Sequence, residues 1–444
     1  MAGIFKAYDI RGIYGEQLTE DLAYRIGRAY ITLTDAERVV IGRDIRPHSE
    51  PLFKALAKGI CEQGADVIDI GHASTPMLYY ANGFLGVDGS VMITASHNPA
   101  PWNGFKLCRA NAEPVSGDTG IMDIQRIVED GSFAPASEKQ GTVSQYDILP
   151  EYKKHVREFA DIAAPINIAI DFANGMGIWE NKTLEGVKNI SWDPLFGDPD
   201  GSFPNHEANP LNIETLEDLQ KKVRKGDYAF GVAYDGDADR AGFVDEKGDV
   251  IPMDFVTALI AQDVLSAQKG TVFYDLRSSR VVKETIEAAG GRAMMSRVGH
   301  AFIKKQMREN NALFAGELSG HYYFKENFTA ESSAMAILSM ANIVSKSGKS
   351  LSELIAPLRK YFQSGEINTR VDGDPRAVLS RLKEMFSSGK GYVFELDGVS
   401  VEFNDWWFNV RCSNTEPLVR LNLEADTEEM MLEKRDEILA VVRG

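Results

Sequence analysis

The sequence predicts a mixed α/β protein: three α/β domains with mostly parallel sheets, followed by a smaller C-terminal α+β domain. Two observations lead to this fold class. A strand, a polar loop and an amphipathic helix follow one another three times before the last part of the chain, and parallel strands need crossover connections of this kind. The last part alternates instead between helices and a hairpin, a pattern typical of an antiparallel sheet covered by helices.

The first α/β unit starts with the short apolar segment 39–41, which predicts a buried strand. After a polar loop, apolar residues recur at helical spacing at Leu52, Phe53, Leu56 and Ile60. Gly64 ends this predicted helix, and residues 67–70 form the next strand. A strand, a helix and a strand in this order indicate one parallel crossover.

The same order returns twice. Residues 168–171 predict a strand that leads into the turn-rich segment 174–177. Residues 272–274 predict another strand, and the helical stretch after it ends at Gly290 and Gly291. Ligands of open parallel sheets bind at the carboxyl ends of the strands, so we expect the functional loops at those ends.

The C-terminal part has a different pattern. Residues 375–386 predict a helix, and an Asp-Gly turn joins the predicted strands 392–396 and 399–403 into a hairpin. Asp426 and Glu429 have the spacing of a capping box, which predicts where the last helix begins. These elements suffice for a small α+β domain.

The length of 444 residues is too great for a single hydrophobic core. The predicted units divide the chain into four domains, at residues 1–149, 150–251, 252–365 and 366–444. The predicted linkers lie near residues 147–151, 250–253 and 364–367, between the units.

The composition excludes several classes of partner. A net charge of −17 argues against nucleic acid or an anionic membrane as the main partner. No apolar run approaches the roughly 18 residues of a membrane span, and the start lacks the basic and apolar regions of a signal peptide. Cys61, Cys108 and Cys412 are few and far apart, which favours a reducing compartment. We therefore expect a cytoplasmic protein that binds small molecules.

Three aspartates predict a metal site. Asp235, Asp237 and Asp239 stand at alternate positions after an apolar strand, a spacing that brings several oxygens onto one hard cation. Arg240 stands where an EF-hand loop requires glycine, so the segment is not an EF-hand. Mg²⁺ is the favoured metal, because sites with few carboxylates and a substrate phosphate suit it. The alternative is an acidic turn exposed to solvent.

A serine loop, residues 94–99, is the second candidate feature. Ser96 lies within the sequence Thr-Ala-Ser-His-Asn-Pro, whose residues favour a tight loop over a helix or a strand. A hydroxyl beside a divalent cation is one way of handling a phosphoryl group. The two loops together predict phosphoryl-transfer chemistry.

With these loops and three further motifs, the chain resembles the α-D-phosphohexomutase superfamily, and in particular its phosphomannomutase/phosphoglucomutase branch. The resemblance runs nearly from end to end. The motifs lie at residues 8–12, 94–99 with 103–106, 235–240, 316–321 and 411–417. Five motifs in the right order across four domains are a specific signal.

The resemblance implies a heart-shaped molecule of four domains, with the active site in its central cleft. It implies an intramolecular phosphotransferase that interconverts hexose 1-phosphate and hexose 6-phosphate, the sugar being mannose or glucose. Ser96 would carry a phosphoryl group, and a hexose 1,6-bisphosphate would be the intermediate and activator. The cofactor would be Mg²⁺, and the partners would be sugar phosphates rather than nucleic acid or membranes.

The resemblance also implies roles for individual residues. The implied catalytic residues are Ser96, Lys106, Arg11, Arg240 and, as general base, His300. The implied ligands of Mg²⁺ are Asp235, Asp237, Asp239 and the phosphorylated Ser96. The implied substrate-binding residues are Tyr8, Arg277, Glu317, Ser319, His321, Arg411, Ser413, Asn414, Thr415 and Arg420. Of these, Glu317 and Ser319 would bind sugar hydroxyls, and the residues from Arg411 onward would bind the phosphate that does not react.

Three alternatives stay open at this point. A phosphoglucosamine mutase of the same superfamily is one alternative. A Mg²⁺-dependent sugar phosphatase would leave Glu317 and the fourth domain without a role. A non-catalytic metal-binding protein would need no serine loop. Both a monomer and a dimer are compatible with the sequence.

Overall fold

A computed structural model describes residues 3–371, 373–387, 389, 391–412 and 418–443 of the chain. The strands in these ranges form four sheets, one after another along the sequence. The first three sheets combine parallel and antiparallel pairs and are accompanied by helices. The fourth is antiparallel throughout. The predicted fold class, three α/β domains followed by an α+β domain, is therefore confirmed.

The first sheet has six strands: β1 (Ile10–Ile13), β2 (Arg38–Arg43), β3 (Asp66–His72), β4 (Gly89–Ile93), β5 (Trp102–Arg109) and β6 (Val143–Gln145). Its helices are α1 (Glu20–Thr34), α2 (Ser49–Glu62), α3 (Thr75–Phe84) and α4 (Met122–Asp130). The strand order is β1-β5-β4-β2-β3-β6, and β5 runs antiparallel to both of its neighbours, β1 and β4. Lys106 on β5 and Arg11 on β1 therefore lie beside the loop that follows β4.

The second sheet follows α5 (Leu149–Arg157). Its elements are β7 (Ile166–Asp171), α6 (Gly177–Glu180), β8 (Ile190–Leu195), α7 (Glu217–Lys225), β9 (Phe230–Tyr234), β10 (Ala241–Asp245) and β11 (Val250–Ile251). The strand order is β11-β10-β9-β7-β8. Strands β9 and β10 form an antiparallel hairpin, and the loop of this hairpin is the acidic segment 235–240.

The third sheet follows α8 (Met253–Ala267). Its strands are β12 (Thr271–Asp275), β13 (Arg292–Ser296), β14 (Phe314–Gly316), β15 (Tyr322–Phe324) and β16 (Ala330–Glu331). The other helices are α9 (Arg280–Ala288), α10 (His300–Glu309), α11 (Ser333–Ser347) and α12 (Leu351–Ile355). The strand order is β13-β12-β14-β15-β16, with β13, β12 and β14 parallel.

The fourth sheet consists of β17 (Phe362–Gln363), β18 (Ile367–Arg370), β19 (Tyr392–Phe394), β20 (Val399–Glu402), β21 (Trp406–Cys412) and β22 (Leu418–Ala425). Helices α13 (Pro375–Ser387) and α14 (Glu428–Arg443) accompany it. Strand β17 pairs with β22 although it precedes the predicted boundary between residues 365 and 366. The four domain boundaries stay a prediction.

The last helix begins differently from the prediction. The Thr427 side-chain oxygen accepts the Met430 backbone N–H at 3.2 Å, so Thr427 rather than Asp426 caps α14. The backbone N–H of Asp426 instead donates to the Asp405 carbonyl at 2.9 Å. Asp426 is thus held at the end of the sheet, and the helix starts only after it.

The hydrophobic cores show which parts of the molecule are joined. One cluster of buried side chains runs from the first α/β unit to the third, from Val40 through Ile170 to Ile337. The C-terminal sheet has its own core, which includes Leu382, Phe408 and Ile438. The first three sheets therefore share a buried apolar interface, whereas the C-terminal domain packs as a separate unit.

Candidate active site

Ser96 lies in the loop between β4 and β5 with its backbone in the left-handed region, at a φ of 52°. A residue other than glycine in this region is held there by its surroundings. Arg46, whose side chain is fully buried, holds the backbone of the serine loop in this conformation. Its Nη2 donates to the carbonyls of Ser96 at 3.0 Å and Asn98 at 2.6 Å, and its Nη1 donates to that of Pro99 at 2.8 Å. One guanidinium group thus fixes the backbone of the serine loop.

The serine loop and the acidic loop meet without a gap. The Ser96 hydroxyl donates to Asp235 Oδ2 at 3.0 Å. A Cβ added to Gly236 would lie 2.4 Å from the Ser96 carbonyl oxygen, so only glycine allows this approach. From the start of α3, Thr75 donates its backbone N–H to the Asp237 carbonyl at 3.0 Å and its hydroxyl to Asp237 Oδ2 at 2.6 Å.

The three aspartates form an acidic cluster that fits a divalent cation. Asp235, Asp237 and Asp239 are buried, and each offers a carboxylate oxygen within 4.8 Å of the other two. Asp237 Oδ1 is buried and has no hydrogen-bond partner among the described residues. Burial together with the neighbouring Asp239 and Asp237 charges raises the pKa of Asp235. A cation would remove both costs.

Basic side chains surround this acidic cluster. Lys106 Nζ lies 2.6 Å from Asp237 Oδ2 and also contacts Asp239 Oδ2. Arg240 donates its backbone N–H to Asp235 Oδ1 at 3.2 Å, and its Nε lies 3.7 Å from Asp235 Oδ2. Lys106 is buried, and these contacts satisfy its ammonium group. Basic side chains of the protein therefore contact the three aspartates directly.

Arg11 and His97 complete the surroundings of Ser96. Arg11 donates from Nε to Asp9 Oδ2 at 2.7 Å and from Nη1 to Asn98 Oδ1 at 2.7 Å. His97 Nδ1 lies 3.2 Å from the Ser96 hydroxyl oxygen. Burial, and after it the charges of Arg240 and Arg11, lower the pKa of His97 well below its usual range. His97 is therefore neutral at neutral pH.

His300 begins α10, directly after Gly299, whose φ is 125°. Its ring centroid lies 5.7 Å from that of Tyr8. Its Nδ1 is buried and has no hydrogen-bond partner among residues that the structure describes. Burial and then the charges of Lys304 and Lys106 lower the pKa of His300 well below its usual range. His300 is therefore neutral at neutral pH, and a neutral imidazole has one ring nitrogen that can accept a proton.

The loop after β14 carries Glu317, Ser319 and His321. Glu317 Oε1 accepts the Gly299 backbone N–H at 3.0 Å, and its Oε2 accepts the Tyr323 hydroxyl. Burial alone would raise the pKa of Glu317, but the hydrogen bond and charge of His321 outweigh it and lower the pKa to about 2. Ser319 Oγ lies 2.8 Å from His321 Nδ1. Glu317 is thus an ionised acceptor in a fixed position.

An arginine cluster lies at the other end of the site. We use this name for Arg277, Arg411, Arg420 and the carboxylate that they share, Glu366. Glu366 Oε2 accepts from Arg411 Nη2 at 2.7 Å, and Oε1 accepts from Arg420 Nη1 at 3.1 Å. Arg277 Nη1 lies 3.5 Å from Glu366 Oε2. Ser413, Asn414 and Thr415, predicted beside these arginines, lie outside the described residues.

Two adjoining cavities connect these groups. A cavity of about 560 Å³ is lined by residues of the serine side, among them Arg11, His97, Lys106 and Asp239. A cavity of about 330 Å³ is lined by residues of the sugar loop and the arginine cluster, among them Glu317, Ser319, Arg277 and Arg411. Tyr8, His97, Arg240, His300, His321 and Arg420 line both. Most of the described residues predicted for the site therefore line one continuous space. The other three, Ser96, Asp235 and Asp237, are buried and contact the lining residues His97, Arg240 and Lys106, respectively.

Sequence reasoning missed three residues of this site: Arg46, Thr75 and Glu366. Arg46 stands at the end of a predicted strand, but nothing in its neighbours reveals that its partners lie about 50 positions away. Thr75 and Glu366 contact groups that are 162 and 45 positions distant. A local pattern carries no signal for such contacts. The position of Arg46 and Thr75 at the carboxyl ends of parallel strands was the only pointer.

Four family models match the chain one after another. They describe phosphoglucomutase/phosphomannomutase alpha/beta/alpha domain I at residues 2–135, domain II at 150–248, domain III at 252–361 and the C-terminal domain at 366–441. A phosphomannomutase from Escherichia coli is 39% identical over 453 residues, which cover 99% of each chain. A phosphomannomutase from Methanocaldococcus jannaschii is 41% identical and covers 98% of this chain and 96% of its own.

A crystal structure of a phosphoglucomutase/phosphomannomutase family protein from Burkholderia thailandensis has the same fold. Its TM-score is 0.91 at 30% identity, with 99% of this chain and 96% of that chain covered. The fold and the site define a phosphotransferase that acts on sugar phosphates. The chain belongs to the phosphoglucomutase/phosphomannomutase family. No helix in the described ranges has the length and apolar composition needed to cross a membrane.

Proposed function

We propose that the enzyme interconverts hexose 1-phosphate and hexose 6-phosphate, with mannose or glucose as the sugar. Ser96 carries a phosphoryl group in the resting enzyme and donates it to the free hydroxyl of the sugar monophosphate. The hexose 1,6-bisphosphate that results turns over in the cleft and returns its other phosphoryl group to Ser96. The E. coli and M. jannaschii relatives named phosphomannomutase support mannose as one of the sugars.

One observation carries the proposal. Arg11 and Lys106, which lie beside the serine loop, line one cavity, and Arg277 and Arg411 line the adjoining one. A mutase must hold one phosphate group while the other reacts, and two separate anion-binding ends meet this need. A phosphatase needs a nucleophile and a metal but no second phosphate site.

The acidic cluster is the proposed Mg²⁺ site. Asp235, Asp237 and Asp239 would hold the ion together with an oxygen of the phosphorylated Ser96. Their burial and the unpartnered Asp237 Oδ1 fit a hard cation with oxygen ligands. Mg²⁺ in such a site supplies neutralisation of charge on a phosphoryl group.

The cationic residues around Ser96 stabilise the transferring group. Lys106, Arg11 and Arg240 place positive charge on the serine side of the cavity. This positive charge stabilises the negative charge on the three oxygens of the phosphoryl group during its transfer. The P–O bond to Ser96 Oγ breaks as a bond from the sugar oxygen to phosphorus forms. The proton of that sugar hydroxyl passes to the neutral imidazole of His300, which lines both cavities.

The other half of the cavity holds the rest of the substrate. The Glu317 carboxylate and the Ser319 hydroxyl bind sugar hydroxyls. Arg277, Arg411 and Arg420 bind the phosphate group that does not react, because guanidinium groups offer paired donors in the geometry of a phosphate. Tyr8 and His321 line both halves and contact the sugar in either orientation. Ser413, Asn414 and Thr415 are proposed as further phosphate donors.

Phosphorus NMR tests this function directly. The purified protein is supplied with Mg²⁺, a trace of glucose 1,6-bisphosphate, and mannose 1-phosphate, glucose 1-phosphate or glucosamine 1-phosphate in separate tubes. The 6-phosphate is expected to accumulate from the mannose or glucose substrate without inorganic phosphate. The initial rates rank the three sugars, and a faster rate with glucosamine 1-phosphate would contradict the proposed sugar. Release of inorganic phosphate alone would identify a phosphatase instead.

A further inference from the structure

Glu366 lies between β17 and β18, where the chain enters the C-terminal domain. Its carboxylate is the shared partner within the arginine cluster, at 2.7 Å from Arg411 Nη2, 3.1 Å from Arg420 Nη1 and 3.5 Å from Arg277 Nη1. Arg277 follows β12 of the third sheet, whereas Arg411 and Arg420 lie on strands β21 and β22 of the fourth. A carboxylate of the protein thus occupies guanidinium groups of two domains.

The same arginines keep donors for another anion. Arg411 Nε and Arg420 Nε are buried and have no hydrogen-bond partner within the part of the chain that the structure describes. Arg277 is fixed independently, because the Asp275 carboxylate accepts from its Nε at 3.1 Å and its Nη2 at 2.7 Å. Buried donors without partners cost free energy. An acceptor with several oxygens would remove this cost.

The charges of the cluster show what Glu366 does to such an anion. Three guanidinium groups with Asp275 and Glu366 carry one net positive charge. A phosphate dianion added to these five side chains leaves an excess of negative charge. The same dianion would be neutralised if Glu366 carried no charge. Without phosphate, the Glu366 carboxylate therefore pairs with the arginines of the cluster. When a phosphate group is bound there, the same carboxylate repels it.

We propose that Glu366 is a stand-in anion that keeps phosphate binding at the arginine cluster reversible. This inference rests on the proposed function, in which the two phosphate groups of the bisphosphate exchange places. The cluster must then release a phosphate group in every cycle. Glu366 takes over the guanidinium groups as the phosphate leaves, so that Arg411 and Arg420 keep an anionic partner after release. Glu366 acts through the arginines and is a positioning residue rather than a catalytic one.

The substitution Glu366→Gln removes the negative charge of this side chain but keeps its size and shape, so it tests whether the charge weakens phosphate binding. The glutamine carbonyl still accepts a hydrogen bond from an arginine, but it no longer repels a phosphate group. Inorganic phosphate is titrated into the unphosphorylated protein by calorimetry at low ionic strength. Roughly tenfold tighter binding is expected for the variant, since like charges at such distances interact strongly near a protein surface.

Two further variants locate the effect. In an Arg411→Gln background, the Glu366→Gln change should no longer tighten phosphate binding, which separates the arginine cluster from the cationic residues around Ser96. Glu366→Asp withdraws the carboxylate by one methylene and should tighten phosphate binding in the same direction, by a smaller factor. Glu366→Asp also serves as the test if Glu366→Gln does not fold. Equal or weaker phosphate binding in the folded variants would overturn the proposal.

Measurements of turnover distinguish a failure of the proposed role of Glu366 from a failure of the proposed function. If the protein is a mutase, Glu366→Gln should lower kcat and KM for the sugar phosphate together, because release from the cluster becomes slower. A simple structural tether would instead raise KM and lower the melting temperature. If the unmodified protein has no mutase activity, the proposed function fails. The phosphate titration then still decides whether Glu366 opposes an anion at this site.

Discussion

The Ser96 hydroxyl donates a hydrogen bond of 3.0 Å to an oxygen of Asp235, although the two residues are 139 positions apart. Ser96 follows β4 of the first sheet, and Asp235 follows β9 of the second. The contact therefore depends on how the two sheets are docked. The backbone of Gly236 allows it, since any side chain there would collide with the Ser96 carbonyl. A hydroxyl is thus brought to the edge of a buried acidic cluster.

Replacement of Ser96 by alanine is expected to lower mutase turnover by a factor on the order of 10³ or more, because no other group takes the phosphoryl group. The measurement is the rate of 6-phosphate formation, with transfer of labelled phosphate from the bisphosphate to the protein. Ser144→Ala, at an exposed position of β6, is the matched control and should keep both. Labelling of the Ser96→Ala protein would contradict the assignment.

Chelation of divalent cations is expected to abolish turnover, and added Mg²⁺ should restore it. Asp237→Asn removes one charge from the acidic cluster, so the Mg²⁺ concentration for half-maximal activity should rise by about tenfold or more. The control is Asp218→Asn on the exposed side of α7, which should leave this concentration unchanged. An unchanged Mg²⁺ requirement in Asp237→Asn would remove the acidic cluster from the metal site.

Arg46→Lys tests whether the serine loop needs a guanidinium group. Lysine keeps the charge but cannot reach the carbonyls of Ser96, Asn98 and Pro99 together. We expect kcat to fall by about 10²-fold, with a smaller change in KM, because the reacting hydroxyl moves out of line. Arg126→Lys on the exposed face of α4 is the control. A fall in melting temperature without any loss of kcat would reduce Arg46 to a purely structural role.

His300→Ala is expected to slow phosphoryl transfer by roughly 10²-fold or more, since the loss of a general base has effects of this size. Binding of the sugar phosphate should change less, because the His300 imidazole is proposed to take a proton rather than to hold the substrate. Single-turnover transfer from phosphorylated protein and equilibrium binding of substrate measure the two effects separately. Normal single-turnover rates would exclude His300 as the base.

Glu180 predicts a pH dependence of stability. Its carboxyl accepts from Ser74 Oγ at 2.5 Å and Tyr152 OH at 2.8 Å, and burial raises its pKa from 4.5 to about 7. The folded protein therefore binds this proton more tightly than the unfolded chain. As pH rises from 4.5 through 7, the free energy of unfolding should fall, by roughly 3 kcal/mol in total.

Glu180→Gln removes this ionisation and keeps the size of the side chain. At pH 8 the variant should melt at a higher temperature than the unmodified protein, and this advantage should disappear toward pH 4.5. Glu185→Gln, at a position exposed to solvent, is the matched control and should melt like the unmodified protein at every pH. A constant difference between Glu180→Gln and the unmodified protein across the pH range would show that Glu180 does not titrate in this way.

Most of the fold was predictable because its signals are local. Segments such as 39–41 and 272–274 are apolar runs, and both are strands in the structure. The prediction for the last helix began one residue too early. Asp426 and Thr427 are both favoured N-cap residues, and it is Thr427 that makes the capping hydrogen bond in the structure.

The candidate site divides in the same way. Ser96 and the three aspartates were identified from their own loops, because turn residues and alternating carboxylates are visible in the sequence. Arg46 and Glu366 were not, since their partners come from distant parts of the chain. Nor does a sequence show that an arginine is buried. Burial depends on which other elements pack over the side chain.

The sequence by itself determined the fold class, the family and the residue types that handle a phosphoryl group, because short-range patterns and motif order carry this information. Only the tertiary structure decided which of those residues share a space. The shared apolar core of the first three domains brings the Ser96 and Asp235 loops into contact. The C-terminal domain has a separate core, and its Arg411 is linked to Arg277 of the third domain by the Glu366 carboxylate, which contacts both. These contacts follow from the docking of whole domains, which no local stretch of sequence specifies.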